Sequence, residues 1–107
     1  MPREKFQTLT EPMFYILLCL REECCGTDIM ERVRQMTGGR VVLGPGTLYH
    51  LLDQFAEAGM IAETRAEGRR RSYLLTARGR EALADEALRL ESQLQDYRRI
   101  LGEEAVK

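Results

Sequence analysis

Leu43-Gly-Pro-Gly-Thr-Leu-Tyr-His-Leu-Leu-Asp-Gln-Phe55 decides how the rest of the chain is read. Pro45 suits a first helical position, where its missing N–H would have no intrahelical partner, and Gly44 stands before it as a permissive cap. A helix is therefore predicted to start at Pro45 and to close at Gly59. Leu48, Leu51, Leu52 and Phe55 follow the i, i+3, i+4, i+7 spacing of one buried stripe. Gly46, His50, Asp53 and Glu57 fall on the opposite side, with Thr47 and Tyr49 flanking. That opposite side is small and polar at its N-terminal end, where the second helix of a helix-turn-helix reaches base edges and phosphates.

Upstream, Thr10 is placed to cap a helix over Glu11–Leu20, with Pro12 tolerated in the first turn. This helix is apolar nearly all round, so it is expected to form the buried spine of the domain, behind a short polar arm that includes Phe6. Thr27 is read as the cap of a second helix reaching about Met36, with Ile29, Met30, Val33 and Met36 as its stripe and Gly38-Gly39 as its stop. Val41-Val42 is too short for more than an edge of strand.

Downstream the period changes. Met60–Arg65 and Arg71–Leu75 read as two short strands around a tight Ala66–Arg70 turn that contains Gly68. Three helices followed by a hairpin is the order of a winged helix-turn-helix. Arg65, Arg69, Arg70 and Arg71 crowd the hairpin tip, where they would lie along a phosphate backbone or enter a minor groove. From Thr76, a plausible cap, to about Glu104, Leu83, Ala87, Leu90, Leu94, Tyr97 and Leu101 alternate steps of four and three. This heptad seam is narrower than a core-facing stripe and fits a helix–helix contact. A helix of that length, on the order of 42 Å, overhangs so small a domain, so its apolar edge calls for a second copy.

The predicted fold is thus mainly α with a small β component. Residues 1–75 form a winged helix-turn-helix and residues 76–107 a dimerisation helix.

The bulk properties set the bounds. The chain has 107 residues with 44% hydrophobic and 31% charged, enough for one small core. Its net charge of −1 argues nothing for nucleic acid, but the charges are segregated. Residues 40–80 carry seven basic and four acidic groups, whereas residues 81–107 carry four and seven. A basic middle beside an acidic tail is what a DNA-facing surface confined to one part of the chain would give. No apolar run approaches the length of a membrane span, and Met1-Pro-Arg-Glu-Lys5 does not open a signal sequence, so a cytoplasmic location is expected. Cys19, Cys24 and Cys25 are odd in number and suit free thiols in a reducing compartment. Glu22, Glu23 and Asp28 beside Cys24 and Cys25 are expected to raise the thiol pKa values and so to argue against a thiolate sensor. No metal-spaced histidine set, phosphate loop or nucleophile with a base is present, so no enzyme activity, metal or cofactor is expected.

Several stretches resemble the PadR-type transcriptional regulators: Leu9-Thr-Glu-Pro-Met-Phe-Tyr-Ile-Leu-Leu18, Gly26-Thr-Asp-Ile-Met30, Leu43-Gly-Pro-Gly-Thr-Leu-Tyr49, Gly59-Met-Ile61 and Arg71-Ser-Tyr-Leu-Leu-Thr-Ala-Arg-Gly79. Gly-Thr-Leu-Tyr alone is a weak motif; followed by a basic hairpin and Tyr-Leu-Leu-Thr it is fairly specific. The single final helix matches the short subfamily. The resemblance implies a homodimeric repressor that binds an inverted-repeat operator in double-stranded DNA, often relieved by a small phenolic or drug-like effector. Gly46, Thr47 and Tyr49 match the DNA-contacting start of the recognition helix, and Arg69, Arg70 and Arg71 the basic wing. His50 and Arg40 join them as DNA candidates from their position. Two departures are Gly44, where a capping Ser or Thr is frequent, and the absence of tryptophan, which some drug-binding members use to stack planar effectors.

Each residue also has a plainer reading. Tyr49 would pack on the second helix, His50 would be a solvated side chain on the surface, and the arginines would protect an edge hairpin from pairing. Phe14, Tyr15 and Tyr97 are the effector-binding candidates, with dimer packing the simpler role for Tyr97. Two rivals to the regulator are a protein-interaction adaptor built on the same scaffold and a small-molecule carrier with its pocket at the dimer interface.

Overall fold

The computed structural model describes residues 8–106, so Phe6 and most of the polar arm lie outside it. The chain runs α1 (Glu11–Cys19), β1 (Cys24–Cys25), α2 (Gly26–Met36), α3 (Pro45–Glu57), β2 (Ile61–Glu67), β3 (Arg70–Leu75) and α4 (Ala77–Val106). This is the winged helix-turn-helix order expected, with a long final helix.

Local chemistry sets the boundaries. The Thr10 hydroxyl accepts from the Met13 N–H (3.4 Å) and Pro12 occupies the first turn of α1. Two helices end alike. Gly39 N–H donates to Arg34 O (2.8 Å) after α2, and Met60 N–H to Phe55 O (2.9 Å) after α3. The glycines between, Gly38 and Gly59, sit at φ +62° and +77°. This is the six-to-one closure whose left-handed residue a side chain disfavours. The Thr76 hydroxyl accepts from Gly79 N–H (3.1 Å), capping α4, and donates to Gly59 O (2.6 Å), which ties α4 to the end of α3. Gly79 is the close approach in that joint, because a Cβ there would lie 2.0 Å from Met60 O.

The sheet is antiparallel in the order β1-β3-β2. Its third strand is a correction to the sequence reading. Cys24 pairs with Tyr73 and Cys25 with Ser72, on a stretch between the first two helices where no strand was expected. Two residues cannot display a period of two, so nothing local announces the strand. A second correction follows from it. Helix α2 begins at Gly26 with Cys25 as its N-cap, not with Thr27 in that role, because β1 hands the chain directly to the helix. The wing strands run longer than expected and meet in the two-residue turn Gly68-Arg69, where Gly68 at φ +61° supplies the positive φ that a primed hairpin turn needs. Val41-Val42 forms no strand; Val41 is buried and Val42 exposed.

Ile16, Leu17, Leu20, Ile29, Val33, Leu48, Leu52 and Phe55 are fully buried, so the core lies where α1, α2 and α3 cross. Ala82 and Leu83 of α4 pack partly against it, and beyond them the helix leaves the domain. One polar contact reinforces that exit. The Glu86 carboxylate, buried at 2% exposure, accepts from Leu9 N–H (3.0 Å) and pairs with Arg89. Residues 91–105 are exposed along their whole length. The radius of gyration is accordingly 16.3 Å, against about 13 Å for a compact chain of this size.

Candidate nucleic-acid interface

Leu48, Leu51, Leu52 and Phe55 anchor α3 in the core and thereby turn its other side outward. Pro45, Gly46, Thr47 and His50 are exposed at its N-terminal end. No side chain caps the α3 N-terminus, since Gly44 holds the N-cap position. The first N–H groups are thus open to an external acceptor, and the helix dipole favours an anionic one.

Tyr49 links this end of α3 to the rest of the surface. Its ring is 44% exposed and leans over the start of α2. A Cβ on Gly26 would stand 2.6 Å from Tyr49 Oη and 2.7 Å from its Cε1, so the ring occupies the space a side chain at 26 would need. Tyr49, Gly26, Thr27 and Cys25 together with Arg69, Arg70 and Arg71 line an open cleft of about 410 Å³. Tyr49 thus packs on the start of the second helix, as its plainer reading has it, and at the same time faces the arginine-bearing wing.

The arginines differ in their surroundings. Arg71 pairs with Glu63 across the wing (3.4 Å) and Arg65 with Glu67 (3.9 Å), so both brace the hairpin. Arg70 reaches out of the hairpin to Asp28 of α2 (3.8 Å), beside Cys25. Arg69, in the turn, forms no ion pair among the described residues. Arg40 lies elsewhere: it pairs with Glu11, donates to the Tyr15 hydroxyl (2.9 Å) and stacks 5.8 Å from that ring's centre. The structure does not bring it to the Tyr49 cleft.

The thiols also depart from the expectation that acidic neighbours raise them all. Burial pushes Cys25 up, but hydrogen bonds from Thr27, the Asp28 backbone N–H and Arg70 outweigh it and hold this thiol below the ordinary value. The helix N-terminus and the wing, neither visible from nearest neighbours in sequence, reverse the sign. Cys24 behaves as expected in direction, pushed to about 11, chiefly by burial. Burial likewise raises Cys19.

Of the effector candidates, Phe14 and Tyr15 meet edge to face with ring centres 5.5 Å apart. They line a cleft of about 210 Å³ between α1 and α4, with Leu9, Glu11, Arg40, Glu86 and Leu90. Within one chain Tyr97 does not reach it. Sequence reasoning missed Cys25, Gly26 and Thr27 as part of the candidate interface. The Gly26-Thr-Asp stretch marked a helix start, but nothing in it tells that Tyr49 and the wing converge there.

An outward recognition-helix start, a first helix beginning beside it and an arginine-tipped hairpin across a shared cleft define the winged helix-turn-helix class of DNA-binding regulators. Comparison with known proteins makes this specific. The chain belongs to the PadR-like family of transcriptional regulators, whose family model matches residues 16–85. Family members regulate transcription rather than catalyse reactions. Solved structures share the fold. The chain is similar to a transcriptional regulator from Clostridium thermocellum (TM-score 0.71, 23% identity, 80% of this chain and 85% of that one). It is similar also to RosR of H. salinarum (0.68, 24%, 92% and 94%). Bacillus subtilis PadR, solved in complex with operator DNA, matches with a TM-score of 0.59 and 26% identity over 67% of this chain but only 44% of that longer one. No curated protein sequence matches the chain.

Proposed function

We propose that the protein is a homodimeric repressor that reads an inverted-repeat operator with Gly46, Thr47, Tyr49 and His50 at the start of α3 and with the wing around Arg69. The observation that carries this reading is the shared cleft, in which Tyr49 near the open N-terminus of α3 faces Arg69, Arg70 and Arg71 of the wing. Residues 1–75 act as the DNA-binding unit and residues 76–107 as the dimerisation helix. Support for the second part comes from Leu90, Leu94, Tyr97 and Leu101, which are 41–61% exposed along the predicted seam, with Leu88 and Ile100 exposed beside it. Ala87 is exposed as well, whereas Leu83 is half-buried against its own domain. The seam between chains therefore begins after Leu83.

Two recognition helices held by such a seam would enter successive major grooves, with half-sites about 34 Å apart. The cleft between α1 and α4 has room for one small aromatic effector on Phe14 and Tyr15, with Tyr97 of a second copy as a further wall. An occupant there would press on the helix that sets the angle between the halves, and repression would be relieved by the resulting shift in population.

The test is a titration of labelled duplex from upstream of the protein's own gene, and of a scrambled duplex, at two salt concentrations with wild type and Arg69→Ala. Operator reading requires sequence-preferring binding that falls steeply with salt, with a slope reduced by about one in the variant. Equal, weak binding to both duplexes would instead favour an adaptor that uses this scaffold on a protein partner.

A further inference from the structure

Arg69, Arg70 and Arg71 share the Tyr49 cleft, but Arg70 also lines a second one and pairs with a residue outside the hairpin. Strand β1 pairs with β3 only as far as Cys25 opposite Ser72, and the chain then turns into α2. The part of β3 beyond Ser72 thus runs past the first turn of α2 without a strand on that side. Arg70 stands two residues from Ser72, on the same face. Its guanidinium spans the gap to the Asp28 carboxylate at 3.8 Å and shares a cleft with Cys25, the N-cap residue of α2. Cys25 Sγ lies 3.4 Å from Thr27 Oγ1 in turn. Cys25, Asp28 and Arg70 also line a second cleft, of about 340 Å³, in which Tyr49 takes no part.

Resting on the operator-binding reading, we propose that Arg70 is a positioning residue: it latches the wing to the N-terminus of α2 through Asp28, and so sets the reach of Arg69 to the phosphate backbone. Asp28 would otherwise be out of place. It is a carboxylate beside a surface that meets polyanionic DNA, where simple electrostatics makes it repulsive. As the wing's anchor on a helix N-terminus it has two favourable partners, the guanidinium and the helix dipole. The other wing ion pairs, Arg71–Glu63 and Arg65–Glu67, stay within the hairpin and cannot fix its angle to the helices.

The sign of one substitution separates a latch from a plain phosphate contact. If Arg70 merely binds phosphate, Asp28→Asn removes a repulsive charge and tightens DNA binding, while Arg70→Ala lowers the salt slope by about one. If Arg70 is a latch, Asp28→Asn weakens operator binding by about threefold, the scale of an exposed ion pair. Arg70→Ala then weakens it by about tenfold with the slope unchanged, and the double variant is no weaker than Arg70→Ala, as expected for two residues acting as one unit.

A second measurement needs no DNA. In the free protein the side-chain Nε–Hε resonance of Arg70 shifts on Asp28→Asn if the contact holds, while those of Arg65 and Arg71 stay in place. An unmoved Arg70 resonance, or tighter binding by Asp28→Asn, overturns the latch. Failure of the wild type to prefer its operator overturns the operator reading instead, whatever the resonance does.

Discussion

Gly26 and Tyr49 compete for the same volume, and this makes residue 26 a probe of the interface rather than of the fold. The Tyr49 ring is half-exposed and can swing away, so Gly26→Ala is expected to displace it without unsettling the core. Operator affinity should fall by about tenfold, equivalent to about 1.4 kcal/mol, while the melting temperature moves by no more than about 2 °C. Titration calorimetry with a thermal melt on the same sample checks both; a large loss of stability would mean that the ring is fixed by packing. The cysteines offer a second probe. Because Cys25 lies below the ordinary thiol value and Cys24 near 11, alkylation by iodoacetamide should mark Cys25 first. Its rate should rise with pH through a midpoint below that of an ordinary thiol. Peptide mass mapping after brief labelling reads this directly, and equal labelling of Cys24 and Cys25 would refute the assigned surroundings. At this scale, Tyr49 and the arginines were legible in the sequence because their types announce their chemistry. Cys25 was not, since the Asp28 N–H and the guanidinium that lower its pKa come from the first turn of α2 and from a strand 45 positions away.

At the scale of elements, helices read well from sequence and the sheet read poorly. The Leu48–Phe55 stripe, Pro45 and the closing Gly59 defined α3 to within its observed limits, because period, entry and exit are all local signals. Strand β1 gave no signal, because pairing with Tyr73 and Ser72 is a long-range event. The wing turn was placed too broadly for the same reason: the strands continue to Glu67 and Arg70 through cross-strand pairs rather than through an alternating pattern. The contact of α4 with the start of the domain has its own pH signature. Hydrogen bonding to Arg89, opposed by burial and aided by Leu9 N–H, holds Glu86 below the ordinary carboxylate value. A depressed folded value means that its contribution is complete above the unfolded value of about 4.3 and is lost as pH falls through the folded one. Glu86→Gln should therefore destabilise the protein by about 1–2 kcal/mol near neutral pH, with the gap to wild type closing below about pH 4. Urea unfolding of both proteins at pH 7 and pH 3.5 checks this. A gap that persists in acid would show that the loss is one of packing.

At the scale of the whole molecule, the unusual feature is a structure 63 Å long whose final helix carries exposed Leu90, Leu94, Tyr97, Ile100 and Leu101 into solvent. In an isolated chain that edge would be a contiguous apolar patch, which soluble monomers rarely leave uncovered. In the proposed dimer a second copy packed along it would bury the edge and convert two weak half-site readers into one bivalent reader. No helix among the described residues is long and apolar enough to seek a membrane instead. The overhang was visible in the sequence as a heptad pattern too long for the domain. How the two recognition helices are spaced was not, because it depends on the crossing of two copies. The measurement that meets this claim most directly is a hydroxyl-radical footprint on the operator with wild type and with Leu90→Asp/Leu94→Asp, alongside sedimentation of both proteins. The dimer account requires two protected patches on one face of the duplex, about 34 Å or one helical turn apart. Both patches should vanish together in the variant as it sediments as a folded monomer. A variant that remains dimeric, or a monomer that still protects both half-sites, would contradict it.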